Sequence, residues 1–149
     1  MTEIMFFVPG VPVPKKRPRV MKTGITFTPK ETEVYENLVR MAFKQKYPAR
    51  EPASENLHLC MTFAFPIPAS AKRKKQPDKI KEGDYFFHRP DLDNLVKTVL
   101  DALNHVAFAD DSQVVMMDGR KVYGTVPGAY ITLKEVLPAL PFGEEGVES

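Results

Sequence analysis

Residues 88–113, HRPDLDNLVKTVLDALNHVAFADDSQ, constrain the fold of this chain more than any other segment. Asp91 and Asp93 come before or within a stretch with helical periodicity, and the pair Asp110–Asp111 follows it. Apolar residues recur there at helical spacing and predict a helix over about 93–104 with one buried face: Leu92, Leu95, Val96, Val99, Leu100 and Leu103. The segment therefore predicts one amphipathic helix with carboxylates at both ends.

The rest of the chain predicts an α+β domain. Alternating or short apolar segments predict strands at about 4–8, 57–65, 113–124 and 129–136. Residues 28–47 have the signals of a second helix, with Thr28 as its cap and Glu31 completing a capping box. We expect a single compact domain at 1–137, with a mixed or antiparallel sheet packed against two main helices. The tail at 138–149 has a composition typical of disorder.

Two features of the predicted strands need comment: the conformation of one dipeptide and the role of one pair of side chains. Asp118-Gly119 could form a hairpin turn or a bulge inside its strand. His58 and Cys60 share one face of the strand at 57–65, because side chains two apart project to the same side. Two residues are too few for a metal site, so we interpret this pair as structural.

Cysteine content and hydropathy limit the classes of protein to which this chain can belong. Cys60 is the only cysteine, which excludes an intramolecular disulfide and a metal cage made of thiolates. The N-terminus does not resemble a signal peptide, and no segment has the roughly 18 consecutive apolar residues of a membrane span. We expect a cytoplasmic protein with no membrane partner.

Basic residues are concentrated in two blocks, although the formal net charge is only +2. The two blocks consist of Lys15, Lys16, Arg17 and Arg19, and of Lys72, Arg73, Lys74 and Lys75. Such blocks are most often solvated loops, but in a chain with a metal-like site they could hold a phosphate backbone.

The carboxylates have the spacing of a magnesium site. Pro90 predicts an extended chain entering the helix, with Asp93 or Asn94 as its cap, so that Asp91 and Asp93 can share one cation. We expect Asp111 to return close to them, and three carboxylates suit Mg²⁺. The cation would lower the pKa of a bound water and polarise a phosphate.

Lys97 lies one helical turn beyond Asp93 and could position that water or stabilise charge on the leaving oxygen. Asp101 continues the same helix face and could orient Lys97 by an ion pair. Taken singly, each pattern has a simpler explanation, namely capping for the aspartates and a surface ion pair for the lysine.

Three other functions are weighed against this one. A nucleic-acid-binding protein without catalysis would use the carboxylates only to cap and solvate. A small-substrate phosphohydrolase fits poorly, because its Asp-x-Asp normally follows a buried apolar strand and here Phe87-His88-Arg89-Pro90 precede it. An EF-hand is disfavoured by Leu95, which stands where a third oxygen ligand is expected.

These motifs closely resemble the RusA family of Holliday junction resolvases. The resemblance rests on PDLDNLVK at 90–97, LDALN at 100–104 and DDSQV at 110–114. The basic opening PGVPVPKKRPR at 9–19 and the helix after Thr28-Pro29, with its Tyr35, are also similar to the family, so that about residues 4–136 are covered.

The resemblance implies a homodimeric, Mg²⁺-dependent endonuclease, with Mn²⁺ as an alternative cation, that resolves four-way DNA junctions by paired symmetric nicks. It also implies a bacterial or phage-encoded origin. Carried over by motif, the metal ligands are Asp91, Asp93 and Asp111, and the essential lysine is Lys97. Asp110 remains an alternative to Asp111, which we prefer.

The basic residues are the predicted DNA contacts: Lys15, Lys16, Arg17, Arg19, Lys72, Arg73, Lys74, Lys75 and Arg89. The Lys72–Lys75 block and the glutamate-bearing tail have no place in the family pattern. A non-catalytic branched-DNA-binding protein and a nuclease for other branched DNA stay as alternatives.

Overall fold

The described part of the chain forms a four-stranded sheet with one buried face and a separate two-stranded sheet of Arg19–Val20 and Thr26–Phe27. A computed structural model describes residues 3–16, 19–20, 26–27, 29–72 and 79–138. The elements are β1 Ile4–Pro9, β2 Arg19–Val20, β3 Thr26–Phe27, α1 Lys30–Lys46, β4 Leu57–Pro66, α2 Ala69–Lys72, α3 Leu92–Leu103, a 3₁₀ turn Asp111–Gln113, β5 Val114–Gly124 and β6 Gly128–Glu135.

The main sheet has the strand order β1-β6-β4-β5. Strand β4 is parallel to β5, and the other neighbouring strands are antiparallel. This mixed sheet with two main helices confirms the predicted α+β class. None of the helices in the described ranges is long and apolar enough to cross a membrane.

The alternation of β4 is confirmed by its burial. The apolar side chains on one face of β4 are almost fully buried: Leu57, Leu59, Met61, Phe63 and Phe65. They share one core with the apolar stripe of α3, in which Leu95, Val99 and Leu103 are at most 1% exposed. Burial of this kind stabilises by about 25 cal/mol per Å² of apolar surface, so the stripe fixes α3 on the sheet.

Helix α3 is the connection between two parallel strands. Because β5 is parallel to β4 and lies beside it, the chain must return from the end of β4 to the level at which β4 begins before β5 can start. The packing shows this return, because Leu92, at the start of α3, lies beside Gly119, deep in β5. Helix α3 therefore runs antiparallel to β5.

Several predicted boundaries shift by one or two residues. Helix α3 begins at Leu92 with Asp91 as its cap, so the expected cap at Asp93 or Asn94 is wrong. Helix α1 has Pro29 at its cap position with no side-chain cap, and Thr28 lies outside the described residues. Asp118-Gly119 makes neither a hairpin nor an interruption, because β5 pairs with β4 on both sides of it.

Some predictions fall on residues that are not described. These are the whole of the tail after Pro138, Arg17, and Arg73, Lys74 and Lys75 of the second basic block. For Arg19 and Lys72 only the backbone is described.

Candidate functional site

The start of α3 presents two exposed carboxylates. Asp91 has an extended backbone (φ −70°, ψ 145°), which agrees with the predicted extended entry into the helix, and its side chain makes no capping hydrogen bond. Asp93, in the first turn, accepts a hydrogen bond from the backbone N–H of Asn94 through Oδ1 at 2.9 Å. Since a carboxylate has about four lone-pair sites, both side chains retain oxygens for a cation.

The turn that leads into Asp91 is held by a lysine on β5. Lys121 Nζ donates to the backbone carbonyl oxygens of His88 at 2.7 Å and Pro90 at 2.8 Å, and it lies 5.6 Å from the ring centroid of Phe86. The peptide bond between Arg89 and Pro90 is cis. Lys121 thus fixes the backbone immediately before the first carboxylate, and sequence reasoning missed it.

A chain of ion pairs runs along the exposed side of α3. Lys97 Nζ lies 3.2 Å from Asp101 Oδ1, which confirms the predicted ion pair. The other oxygen of Asp101 lies 3.1 Å from Lys15 Nζ, which also contacts Glu36 Oε2 at 3.0 Å. Asp101 is therefore shared between Lys97 and Lys15.

Lys15 forms ion pairs with both Glu36 and Asp101. Burial on its own would lower the pKa of Lys15, but the hydrogen bonds and charges of Glu36 and Asp101 outweigh it and raise the pKa. Lys15 is thus positively charged at neutral pH and serves as an anchor, which leaves it less free to contact phosphate than the sequence suggests.

The loop that carries Lys15 is tied across the start of α3. The backbone N–H of Lys15 donates to the carbonyl of Asn94 at 2.8 Å, and the hydroxyl of buried Thr32 donates to the carbonyl of Pro14 at 3.1 Å. Lys16 extends from the same loop and pairs with Glu31 at 2.8 Å, where both side chains are largely exposed. Helices α1 and α3 thus hold the basic loop next to Asp91.

A cleft of about 900 Å³ opens between this loop and the turn before α3. Its walls include Val11–Lys16, Arg89 and Asp91, and aromatic rings form its base. Phe86 stacks on Phe65 with ring centroids 4.2 Å apart. The cleft is therefore mainly apolar inside and basic at its rim, with carboxylates at Asp91 and Glu31.

Two exposed aromatic side chains lie in the segment before Pro90, on either side of Phe86, which lines the cleft. Phe87 is 84% exposed and stacks on His88 with ring centroids 4.6 Å apart, and Tyr85 is 74% exposed. Sequence reasoning did not single them out, although the run Tyr85–His88 directly before Pro90 was a visible signal.

Asp93 and Lys97 face a second groove, between α3 and β5, whose lining includes Asp118. Asp91 and Asp93 thus lie on neighbouring surfaces at the same end of α3.

Asp110 and Asp111 differ in what their side chains do. Asp110 caps the 3₁₀ turn by accepting from the backbone N–H of Ser112 at 3.0 Å. Hydrogen bonds from the side chain and the backbone of Ser112 lower the pKa of Asp110. Gln113 completes the capping box through the backbone N–H of Asp110. The carboxylate of Asp111 has no hydrogen bond or ion pair within the described ranges. Asp110 is therefore engaged in the turn, whereas the carboxylate oxygens of Asp111 are not.

Asp111 does not lie near Asp91 within the chain. Helix α3 has 12 residues, which span about 18 Å at 1.5 Å per residue. Tyr123, at the end of β5, lines the cleft of Asp91, whereas Asp111 precedes the first residue of β5. The expected return of Asp111 to Asp91 is thus not found in a single chain.

Among the described residues, three potential metal ligands converge in one place only, which is formed by His58, Cys60 and Asp118. This cluster shares no residue with the predicted carboxylate set, although Asp118 also lines the groove of Asp93 and Lys97.

Comparison with known proteins identifies the family. Residues 9–134 match the family model described as endodeoxyribonuclease RusA. The chain is also 33% identical over 141 residues to the uncharacterized protein YqaN of Bacillus subtilis (strain 168), which covers 89% of this chain and 96% of that protein. The match extends from the basic loop through α3 to β6, and the chain therefore belongs to the RusA endodeoxyribonuclease family.

Proposed function

We propose that this protein is a Mg²⁺-dependent endonuclease that resolves four-way DNA junctions by paired symmetric nicks, in DNA recombination and repair. The observation that carries this proposal is the exposed carboxylate pair at the start of α3, beside a cleft with a basic rim. Membership of an endodeoxyribonuclease family supports the reaction class. Mn²⁺ is the alternative cation.

The proposed donor set, with two carboxylates at the start of α3 and one beyond its end, has the chemistry that a hard cation requires. Asp91, Asp93 and Asp111 offer only carboxylate oxygens, and Mg²⁺ prefers oxygen ligands together with waters and substrate phosphate. When bound, Mg²⁺ would polarise the scissile phosphate and lower the pKa of a bound water.

Lys97 is the cation of the protein best placed to act with these carboxylates. Its side chain is 55% exposed, so it can reach a substrate, while Asp101 holds its ammonium group on the helix face of Asp93. In this position Lys97 would donate to an oxygen of the scissile phosphate as negative charge develops there.

We further propose that the active enzyme is a C2 homodimer. In one chain Asp111 is about a helix length from Asp91, so a second copy facing the first would supply the missing carboxylate. The edge strand β5 also exposes Val115, Met116 and Met117 by 50–54%, which is apolar surface that a partner could cover.

Twofold symmetry suits the substrate. A four-way junction has pseudo-twofold symmetry and needs two symmetric nicks, and a C2 dimer presents two copies of one site in that relation. Arg89 and Lys16, at the rim of the cleft, would bind phosphates, and the exposed ring of Phe87 could stack on a base unpaired at the branch.

A cleavage assay tests this function directly. Purified protein is incubated with a labelled four-way junction or a linear duplex of the same sequence, in Mg²⁺ or in EDTA. We expect symmetric nicks in the junction only, and only with Mg²⁺. Binding without cleavage in both Mg²⁺ and Mn²⁺ would instead indicate a branched-DNA-binding protein. Equal cleavage of flaps or three-way branches would indicate a broader branched-DNA nuclease.

Replacing Lys121 with methionine tests how Asp91 is positioned. Met has a similar length but cannot donate to the carbonyls of His88 and Pro90, so the turn before Asp91 should shift. We expect the single-turnover cleavage rate to fall roughly 10- to 100-fold, because small misplacements of reacting groups are costly. Junction affinity should change little, since the ammonium group of Lys121 is occupied by these carbonyls.

Lys134→Met is the matched control, because Lys134 is exposed on β6 and is not among the residues that line the cleft. An unchanged cleavage rate in Lys121→Met would contradict the positioning role. The positioning role would also be contradicted if Lys121→Arg, which keeps a cationic donor, lost as much cleavage rate as Lys121→Met.

A further inference from the structure

Three side chains of different chemistry meet on the sheet face opposite the helices. His58 and Cys60 project from β4 away from the buried side chains of that strand. Asp118 is the residue of β5 directly in register with Cys60. The parallel pairing of β4 and β5 thus adds Asp118 to His58 and Cys60, the two donors that are visible in the sequence.

The three donor atoms lie close to one another. His58 Nε2 is 2.7 Å from Asp118 Oδ2, Cys60 Sγ is 3.3 Å from His58 Nε2, and Cys60 Sγ is 3.5 Å from Asp118 Oδ2. All the contacts of the imidazole converge on the same nitrogen. A catalytic Cys-His-Asp relay would instead use one ring nitrogen for the acid and the other for the thiol.

These distances are close to those around a tetrahedral zinc ion. Bonds of about 2.0 Å to nitrogen and oxygen and about 2.3 Å to sulfur place the ligand atoms about 3.3 Å apart for N and O, and about 3.5 Å apart for either of them and S. Both contacts of Cys60 Sγ are within about 0.2 Å of this geometry. Only the distance between His58 and Asp118 is shorter, because a hydrogen bond now joins them.

We propose that His58, Cys60 and Asp118 form a zinc site with its fourth position open to water or an external ligand. The site shares no ligand with the carboxylates of α3, although Asp118 also lines the groove that Asp93 and Lys97 face. A thiolate and a carboxylate neutralise the two charges of Zn²⁺, and an imidazole nitrogen completes a ligand set typical of this borderline-soft ion. Mg²⁺ disfavours sulfur and nitrogen ligands, so the two sites would select different metals.

A neighbouring arginine already orients one ligand. Arg120 donates to Asp118 Oδ1 at 3.1 Å, which leaves Oδ2 directed at His58 and Cys60. Hydrogen bonds of this kind from outside the ligand set fix the orientation of metal-binding side chains. The ion would join the edge strand β5 to the central strand β4, and β5 carries Lys121 to the turn before Asp91.

Binding of Co²⁺, a spectroscopic probe for Zn²⁺, tests the site. The full chain is used without a histidine tag, in excess Mg²⁺ so that the carboxylates of α3 do not compete. We expect one Co²⁺ per chain, with near-ultraviolet thiolate charge transfer and strong visible bands of tetrahedral Co²⁺, both removed by added Zn²⁺. The charge-transfer band should disappear in Cys60→Ser, and His58→Gln should weaken binding at least tenfold.

Two control variants separate this site from its surroundings and from the nuclease site. Thr132→Ala, on β6 in register with Cys60, and Asp91→Asn should keep the full Co²⁺ spectrum. Zn²⁺ should also raise the melting temperature of the wild-type chain and of both controls, but not that of Cys60→Ser. Absence of a thiolate band in the wild type, or its persistence in Cys60→Ser, would overturn the proposal.

Discussion

Replacing Asp91 with asparagine is expected to lower the rate of junction cleavage by at least about 10³-fold, or about 4 kcal/mol in the activation free energy. Asparagine keeps the volume of Asp91 but removes the negative charge that would hold a cation. The fold should be unaffected, because the carboxylate of Asp91 is exposed and makes no capping hydrogen bond. Junction binding should be kept or strengthened, since one charge that repels phosphate is lost.

Single-turnover cleavage of a labelled junction in Mg²⁺ measures the rate, and a gel shift in EDTA measures binding. Asp110→Asn is the matched control, because it removes an exposed carboxylate charge directly beside Asp111 while asparagine still caps a helical turn well. We expect Asp110→Asn to cleave normally and Asp111→Asn to fail. Normal cleavage by Asp91→Asn would show that its carboxylate is not needed for catalysis. If Asp111→Asn cleaved normally and Asp110→Asn failed, Asp110 would be the ligand instead of Asp111.

Local periodicity predicts the framework of this protein well. The apolar spacing of α3 and the alternation of β4 map directly onto one buried face of each element, so Leu95, Val99 and Phe63 are core residues both in the prediction and in the structure. The ion pair of Lys97 with Asp101 is predictable for the same reason, because residues four apart share a helix face.

Contacts between distant segments are not predictable in this way. Lys121 is 31 residues from Pro90, and Asp118 is 58 residues from Cys60, so their contacts depend on which strand pairs with which. The sequence does not show that β5 is parallel to β4 rather than antiparallel. Without that pairing, His58 and Cys60 remain an incomplete ligand set, and Lys121 is one more basic residue on a strand.

The same missing information explains the position of Asp111. A helix that leads out from Asp91 and a strand that leads back would bring a residue at the end of that strand close to Asp91. Asp111 comes before the first residue of β5, and α3 is the return path between parallel strands. It therefore lies where the helix ends, about 18 Å from where the helix begins.

A mixture of two inactive variants is expected to recover activity if each site is completed by the second copy. In a mixed dimer of Asp91→Asn and Asp111→Asn, one site would carry both substitutions and the other neither. Random exchange of subunits makes about half of the dimers mixed, so about a quarter of all sites should regain wild-type composition. Because only one site in such a dimer works, it should nick a junction once, without the paired second cut.

The recovered fraction is measured after the variants are refolded together or co-expressed, with each variant alone as the background. If Asp91 and Asp111 acted within one chain, every site in every dimer would carry a substitution, and mixing would recover nothing. Asp91→Asn mixed with Asp93→Asn is the matched control, because both residues lie at the start of the same α3 and no arrangement of subunits restores them together. Recovery in that control would show that the carboxylates at the start of α3 do not act as a unit. Recovery only in the mixture of Asp91→Asn with Asp111→Asn would establish that Asp111 of one chain completes the site that contains Asp91 of the other.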